Sequence, residues 1–343
     1  MNLNIIGNGF DLYHGLPSSY FYFGSYLIEN NLSLYDELSD MYGFKKGIYY
    51  GFPGDDFYYA VEGFFWKDFE THLGEINESW VDETLQDDLG LEYDDPPVDL
   101  EMYQYDNAKE IKKALSEWIK NVVDKKENYN IIRAKIKKYK FKVPLRKNDI
   151  YLSFNYTHTL EEIYGIDQDQ ILHIHGEALE YTENTLVIGH GNDIRIQEIK
   201  KDLEEYEKDY FDQASCNREN ELKCILHNLR ELRKDVNLYI NNCDTFLDKK
   251  IKHKCIDTIK IYGLSMGEVD LPYLINIRNK FPNAKWSFSY YSQNDFYNIK
   301  EIAKKYLSLE DGQYERFEFY NRYSHDIESE IVALHKIKQF KKI

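Results

Sequence analysis

Five short motifs place glycine, asparagine, histidine or serine directly after apolar segments that are typical of buried β-strands. In chain order they are Gly7–Asp11, Ser153–His158, His173–Gly176, Gly189–Asp193 and Gly263–Asp270. In α/β proteins the carboxyl ends of parallel strands meet at one edge of the sheet, and ligands bind there. The five motifs therefore predict one shared site, built from loops that are far apart in the chain.

The first motif has the chemistry of a phosphate-binding loop. Gly7, Asn8 and Gly9 follow a buried strand, and glycines let backbone amides come close to a phosphate. The third glycine of the dinucleotide fingerprint is missing, because position 12 is leucine. A short loop leads from these residues toward a helix predicted at Ser18 or Ser19. An ordinary strand–loop turn is the alternative to a phosphate site.

The second and third motifs supply polar groups suited to acid–base chemistry. Asn155 offers an amide donor and an acceptor, although Asn155 or Thr157 could instead cap the next helix. His173 and His175 are two residues apart, so on a strand both imidazoles would face one cleft. Either could act as a general base, the pair could bind one metal ion, or His173 could be a core histidine.

The fourth and fifth motifs carry weaker signals. Gly189 and Gly191 flank His190, which indicates close backbone approach to a ligand or to another loop. Gly263 and Ser265 could hold a ribose or a phosphate. The same segment has the letters of an esterase nucleophile elbow, but no convincing acid and histidine follow it, so we set that interpretation aside.

The elements that must position these motifs alternate between short apolar segments and long amphipathic helices. Seven segments are predicted as strands: Leu3–Ile6, Ile150–Phe154, Ile171–Ile174, Leu186–Ile188, Ile259–Tyr262, Trp286–Tyr290 and Phe317–Tyr320. Helical periodicity runs from Ala108 to Val122 and again from Leu222 to Tyr239. Near-continuous apolar strands favour a parallel sheet that is covered on both faces.

The fold class predicted is therefore α/β, with a parallel-sheet, Rossmann-like core and two helical insertions. The discontinuous core is assigned to residues 1–50, 145–197 and 257–343. One insertion spans residues 51–144, with an acidic, proline-containing linker near residues 86–100, and the other spans residues 198–256.

Composition narrows the classes of partner. The 343 residues carry a net charge of −17, which disfavours a protein that grips nucleic acid by its phosphates. No apolar run is long enough to span a bilayer, and the first residues do not resemble a secretory signal. We expect a cytoplasmic protein with reduced cysteines and no membrane partner.

In combination, the motifs resemble the AbiH family, bacterial proteins associated with abortive infection by bacteriophage. The resemblance rests on Ile-Gly-Asn-Gly-Phe-Asp-Leu, Phe-Asn-Tyr-Thr-x-Thr-Leu-Glu, His-Ile-His-Gly, Gly-His-Gly and Gly-Leu-Ser-Met-Gly-Glu-Val-Asp-Leu-Pro. It spans nearly the whole chain. It implies a role in antiphage defence, triggered by an unknown phage signal, and leaves homo-oligomerisation open.

A more distant resemblance is to sirtuin-like NAD-binding domains. The segment from Gly7 to Pro17 is similar in spacing to the sirtuin loop G-x-G-I-S-x-x-x-G-I-P, and the later motifs follow in the sirtuin order. Three positions differ: Asp11 stands in place of serine, Phe154 in place of glutamine and Thr157 in place of aspartate. The sirtuin zinc module is absent, which argues against protein deacylation.

This resemblance implies hydrolysis of the N-glycosidic bond of NAD, or of a related nucleotide, with no metal cofactor. The residues implied as catalytic are His175, Asn155 and Asp11. Those implied to bind the nucleotide are Gly7, Asn8, Gly9, Phe10, His14, Gly15, Gly263 and Ser265. His175 would accept a proton beside the sugar, which requires its imidazole to face the nucleotide rather than the interior.

Two alternatives stay open. One is a metal-dependent nuclease or phosphohydrolase that uses His173, His175, His190 and Asp193. The other is a nucleotide sensor that binds without turnover and acts through a partner.

Overall fold

A computed structural model describes residues 1–42, 46–49, 58–61, 69–78, 107–178, 186–191, 193–206, 213–252 and 255–335. The chain forms two compact units. The described residues of the first lie within Met1–Ser19, Ser116–Val187 and Asp235–Lys338, and those of the second within Tyr20–Leu115 and Ile188–Lys234. The predicted boundaries of core and insertions stay a prediction.

Within the described ranges, six strands of the first unit form one parallel sheet, and two strands of the second unit form an antiparallel hairpin. In chain order the strands are β1 Asn2–Ile6, β2 Lys46–Tyr49, β3 Tyr58–Val61, β4 Ile150–Ser153, β5 Ile171–His173, β6 Thr258–Tyr262, β7 Lys285–Tyr290 and β8 Tyr314–Glu318. The large sheet has the order β5-β4-β1-β6-β7-β8, and every neighbouring pair is parallel. Counted along the chain, this is the 3-2-1-4-5-6 order of the Rossmann fold.

Burial explains why these segments form a parallel sheet. All four residues of β4 are buried, as are four of the five residues of β1, so neither strand has a solvent face. Apolar side chains of β1, β4, β6 and β7 join one core with residues from the helices around them. The predicted α/β, Rossmann-like core is confirmed.

Helices connect the strands and fill the second unit. In the first unit the α-helices are Asn8–His14, Lys126–Tyr139, Thr159–Tyr164, Val236–Ile251, Leu271–Lys280, Gln293–Glu301 and Ser324–Leu334. In the second unit they are Tyr20–Asn30, Leu32–Tyr42, Phe69–His72, Asp193–Tyr206 and Gln213–Glu231. Helix Asn107–Trp118 begins in the second unit's range and continues as a π-helical turn over Ile119–Val123.

Several predicted elements differ from the structure. The segment Leu186–Ile188 is not a strand: Leu186 makes one isolated antiparallel bridge, to Gly176. Strand β8 ends at Glu318, whereas the prediction began at Phe317. The helix predicted at Ser18 or Ser19 begins at Tyr20, but the loop predicted before it contains a further helix, Asn8–His14, directly after β1. The acidic linker near residues 86–100 lies outside the described residues.

The helical period from Leu222 to Tyr239 belongs to two helices rather than one. The first ends at Glu231 and the second begins at Val236. The side chain of Asp235 accepts a hydrogen bond from the backbone N–H of Leu238, 3.1 Å away, and so caps the second helix. A polar capping residue does not disturb the spacing of the apolar residues around it, so the periodicity did not show where one helix ends and the next begins.

Removing this cap should cost about 1 kcal/mol, because a helical N–H then loses its acceptor. We expect Asp235→Ala to lower the free energy of unfolding by that amount in urea titrations. Asp235→Asn keeps an acceptor of the same size and should leave stability nearly unchanged. Equal losses in both variants would contradict the capping role.

None of the helices in the described ranges is both long and apolar enough to cross a membrane.

Candidate functional site

The loops after β1 and β6 meet backbone against backbone. The N–H of Gly7 donates to the carbonyl of Tyr262 at 2.9 Å, and that of Gly9 to the carbonyl of Gly263 at 2.8 Å. A Cβ added to Gly9 would lie 2.7 Å from the Cα of Gly263. These two amides are therefore occupied within the fold, although they were predicted to bind a diphosphate. The glycines are explained by close packing at the point where the strand order reverses.

Other residues of the first motif also have structural partners. The amide of Asn8 donates to the carbonyl of Ser18 at 3.0 Å and accepts from its hydroxyl at 2.6 Å. Phe10 is fully buried, with its ring centroid 4.7 Å from that of His14. Gly15 ends the first helix with φ 80°, a left-handed conformation that glycine favours.

His14 is a satisfied core histidine in this structure. Its Nδ1 lies 2.7 Å from the carbonyl of Phe10, and its Nε2 lies 2.7 Å from the hydroxyl of Tyr164. Burial lowers the pKa of His14 to about 4, so the ring is neutral at physiological pH. The roles of Phe10 and His14 in holding a nucleotide stay predictions.

Asp11 lies in a polar cluster that joins the first motif to the second. It is 1% exposed, and its two carboxylate oxygens accept hydrogen bonds from the hydroxyls of Thr157 at 2.6 Å and Thr159 at 2.7 Å. Burial raises the pKa of Asp11 from 3.8 to about 6, although the threonine hydrogen bonds oppose the rise. A buried carboxylate that titrates near neutrality is typical of functional sites.

Asn155 connects this cluster to two other motifs. Its Nδ2 donates to the carbonyl of Gly7 at 3.1 Å, and its own carbonyl accepts from Nδ1 of His173 at 3.0 Å. The side-chain oxygen of Asn155 is buried and hydrogen-bonds to no group in the described part of the chain. Neither Asn155 nor Thr157 caps the next helix, which begins at Thr159 after His158.

His173 and His175 do not face one cleft, because β5 ends at His173 and a turn follows. His175 is 4% exposed and lies among the rings of Phe154, Tyr156, Tyr239 and Tyr273. The predicted mechanism required this imidazole to face the nucleotide, and in this structure it is instead part of the interior. Its role as general base stays a prediction.

His158 belongs to a group of titratable side chains that the sequence analysis missed. Nδ1 of His158 lies 2.5 Å from Oδ2 of Asp124, and the backbone N–H of His158 donates to Oδ1 at 2.9 Å. The hydrogen bond to Asp124 raises the pKa of His158 to about 9. Burial alone would raise the pKa of Asp124, but the bonds from His158 outweigh it and lower that pKa.

The group continues with His173 and two glutamates. Nε2 of His173 lies 3.0 Å from Oε1 of Glu161 and 3.4 Å from Oε1 of Glu177. Nε2 of His158 lies 3.8 Å from the same oxygen of Glu177. Burial alone would lower the pKa of His173, but the hydrogen bond to Glu161 and smaller effects outweigh it, so the pKa is raised. Ligand atoms of His158, Glu161 and Glu177 all lie within 4.8 Å of one another.

Local structure explains how these four side chains meet. His158 and Glu161 are three residues apart at the start of a helix, so they share one face. Gly176, with φ 85°, turns the chain after β5 and brings Glu177 back beside His173. The signals that could have found them are His158-x-x-Glu161 and His173-x-x-x-Glu177, each directly after a strand.

The two remaining motifs do not supply the metal set that the alternative hypothesis predicted. His190 and Asp193 lie in the second unit, where Nε2 of His190 bonds to the carbonyl of Leu229 and Asp193 pairs with Arg233. In the first unit, Ser265 donates to Oδ2 of Asp270 at 3.1 Å. Among the residues that the structure describes, His173 alone of these four faces a cluster of potential ligands.

The comparison with known families agrees with the motif pattern. A family model described as bacteriophage abortive infection AbiH matches residues 3–290, a range that contains all five motifs, β1 apart from its first residue, and strands β2 to β7. The chain belongs to the AbiH family. No curated protein and no solved structure matches it. Membership assigns this AbiH protein to bacteriophage abortive infection.

Proposed function

We propose that this AbiH protein acts in abortive infection by hydrolysing the N-glycosidic bond of NAD or a related nucleotide. The supporting observation is the cluster of Asp11 and Asn155, next to the carboxyl ends of β1 and β4. That position is at the carboxyl edge of the sheet, beside the point between β1 and β6 where the Rossmann strand order reverses and such sheets bind nucleotides.

The chemistry needs a group that accepts a proton and a group that orients the attacking water. Water would attack the anomeric carbon as the bond to nicotinamide breaks, and the bonding electrons would leave with the nicotinamide nitrogen. The free side-chain oxygen of Asn155 can accept a hydrogen bond from the water or from a ribose hydroxyl. The Asp11 carboxylate can take the proton and stabilise the positive charge on the sugar.

Burial of the cluster implies that the structure represents a resting state. Asp11, Asn155 and His175 are 1%, 6% and 4% exposed, so a nucleotide reaches them only after covering segments move. An effector that depletes a cofactor of its own cell has to stay inactive before infection. We therefore expect low activity until a phage signal opens the site.

Infected cells provide the decisive test, because they contain the trigger. We expect cellular NAD to fall after infection in cells carrying the wild-type protein. Asn155→Ala should lower the rate of nicotinamide release by at least about 100-fold, as expected when a positioned polar group in acid–base chemistry is lost. His175→Ala, measured in parallel, determines whether the imidazole takes part.

The matched control is Asp149→Asn. Asp149 is also a buried aspartate, 5% exposed, but it precedes β4 and so lies at the other edge of the sheet from Asp11. Asp149→Asn should leave NAD loss intact, and Asp11→Asn should abolish it. Protection of infected cells with unchanged levels of NAD and of related nucleotides would overturn the proposal. Tight nucleotide binding without product would favour the sensor hypothesis.

A further inference from the structure

We propose that His158, Glu161, His173 and Glu177 form a binding site for one divalent transition-metal ion. The proposal departs from the sequence-based expectation that no metal is bound. It does not rest on NAD hydrolysis, since a metal can bind here whatever reaction the protein performs.

The two imidazoles are oriented as metal-binding histidines are. Nδ1 of His158 bonds to the Asp124 carboxylate, and Nδ1 of His173 bonds to the backbone carbonyl of Asn155. Both acceptors require a proton on Nδ1, which leaves Nε2 as the nitrogen facing the glutamates. Histidine ligands in metal sites usually donate their second nitrogen to a carboxylate or a carbonyl in this way.

The spacing of the potential ligand atoms fits a single small ion. Atoms bound to a tetrahedral ion at about 2.05 Å lie about 3.3 Å apart. Nε2 of His173 is 3.0 Å from Oε1 of Glu161 and 3.4 Å from Oε1 of Glu177. Nε2 of His158 is 3.8 Å from Oε1 of Glu177, and ligand atoms of His158, Glu161 and Glu177 lie within 4.8 Å of one another, so side-chain movement would have to draw them closer around the ion.

Burial indicates a formed site with one open side. The side chains of His173, Glu161 and His158 are 5%, 15% and 16% exposed, whereas Glu177 is 27% exposed. Oε2 of Glu161 is buried, and in the described residues no hydrogen-bond donor reaches it. A metal ion bound by both carboxylate oxygens of Glu161 would satisfy this atom, and the Glu177 side would provide the entry route.

The donor set points to the class of metal. Two imidazole nitrogens with two carboxylates suit Zn²⁺, Mn²⁺ or Fe²⁺, whereas Mg²⁺ and Ca²⁺ prefer ligands that are all oxygen. The site also neighbours the proposed hydrolytic cluster, because Asn155 bonds to His173 through its carbonyl and to Gly7 through its side chain.

Metal binding is tested directly on the full chain after removal of metal with a chelator. Zn²⁺ and Mn²⁺ are titrated separately into the protein, with binding measured by calorimetry and bound metal by elemental analysis. We expect one ion per chain and a rise in Tm. Each of the variants Glu161→Gln, Glu177→Gln and His173→Ala should raise the dissociation constant of the metal by at least about 10-fold. Asp124→Asn should raise it by about 10- to 100-fold.

His325→Gln is the matched control. His325 and Glu328 repeat the three-residue spacing of His158 and Glu161 on another helix of the first unit, but at a largely exposed histidine. This variant should bind metal as the wild type does. Glu177→Gln changes the most exposed of the four ligands, so it tests the site even if variants at the buried positions fail to fold.

The proposal fails if the stripped wild-type protein binds neither ion, or if the Glu161 and Glu177 variants bind it unchanged. In either case the four residues form an ion-pair cluster only. A metal that binds with unaltered NAD chemistry, or binds where NAD chemistry is absent, still supports the site and separates it from the proposed function.

Discussion

Gly263→Ala is expected to lower the free energy of unfolding by about 4 kcal/mol. Gly263 has φ 64°, a left-handed conformation that costs other residues about 1–2 kcal/mol. Its added Cβ would lie 2.3 Å from the backbone nitrogen of Phe10 and 2.4 Å from the carbonyl carbon of Gly9. Backbone atoms cannot rotate away as a side chain can, so we expect a further cost of about 1–3 kcal/mol from overpacking.

Two other glycines separate these effects. Gly312 has φ 91° and no atom within 4 Å of an added Cβ, so Gly312→Ala should show the cost of conformation alone. Gly267 meets nothing nearer than 4.0 Å, and alanine there should be nearly neutral. Guanidinium titrations of the three variants give the comparison. If Gly263→Ala and Gly312→Ala lose equal stability, the loops after β1 and β6 are not as tightly packed as the structure indicates.

The glycine motifs lie directly after strands, as predicted, but the sequence did not show what their backbone amides contact. The sequence indicated that Gly7 and Gly9 bring backbone amides close to a phosphate, and that the amide of Gly263 could help to hold a ribose or a phosphate. It could not indicate what approaches them. In the structure the partner is the other loop, because the hydrogen bonds between Gly9 and Gly263 and between Gly7 and Tyr262 occupy the amides.

The fold was more predictable than the site, because strand periodicity and strand order follow simple physical rules. Buried runs such as β4 and β7 are continuous in apolar or small residues and were predicted within one or two residues. The prediction of a strand at Leu186–Ile188 was wrong, because three apolar residues do not specify pairing with a neighbouring strand. Within the described ranges, this segment makes one isolated bridge, from Leu186 to Gly176.

The His158 group could not be found from apolar patterning. Asp124 follows a π-helical turn, and its bond to His158 joins residues 34 positions apart. His173 was considered together with His175 on the assumption that the strand continued past residue 173. Strand β5 ends there, and the two rings therefore enter different surroundings, one polar and one aromatic.

Asp11→Asn is expected to make the protein more stable at neutral pH while removing its proposed activity. Burial raises the pKa of Asp11 from 3.8 to about 6 in the folded chain, so the folded state binds this proton more tightly than the unfolded state does. Stability from this group is therefore greatest below about pH 4 and is lost as pH rises through about 6. Each unit of pKa corresponds to 1.36 kcal/mol, so the full loss is about 3 kcal/mol.

The measurement compares the pH dependence of unfolding for the two proteins. Between pH 3 and pH 7.5 the wild type should lose about 3 kcal/mol relative to Asp11→Asn, because asparagine carries no charge to desolvate. The hydroxyls of Thr157 and Thr159 can each donate or accept, so both can still bond to the amide. If the stability of the two proteins changes equally with pH, burial does not raise the pKa of Asp11.

If Asp11→Asn is both more stable and inactive, the loss of activity cannot be attributed to unfolding. A group retained for packing would be expected to stabilise the fold, whereas Asp11 is held as a carboxylate at a cost. A variant that is more stable at pH 7.5 and no longer lowers NAD in infected cells would connect that cost to chemistry. A variant that is more stable and still fully active would assign the carboxylate to neither catalysis nor folding, and would remove Asp11 from the proposed mechanism.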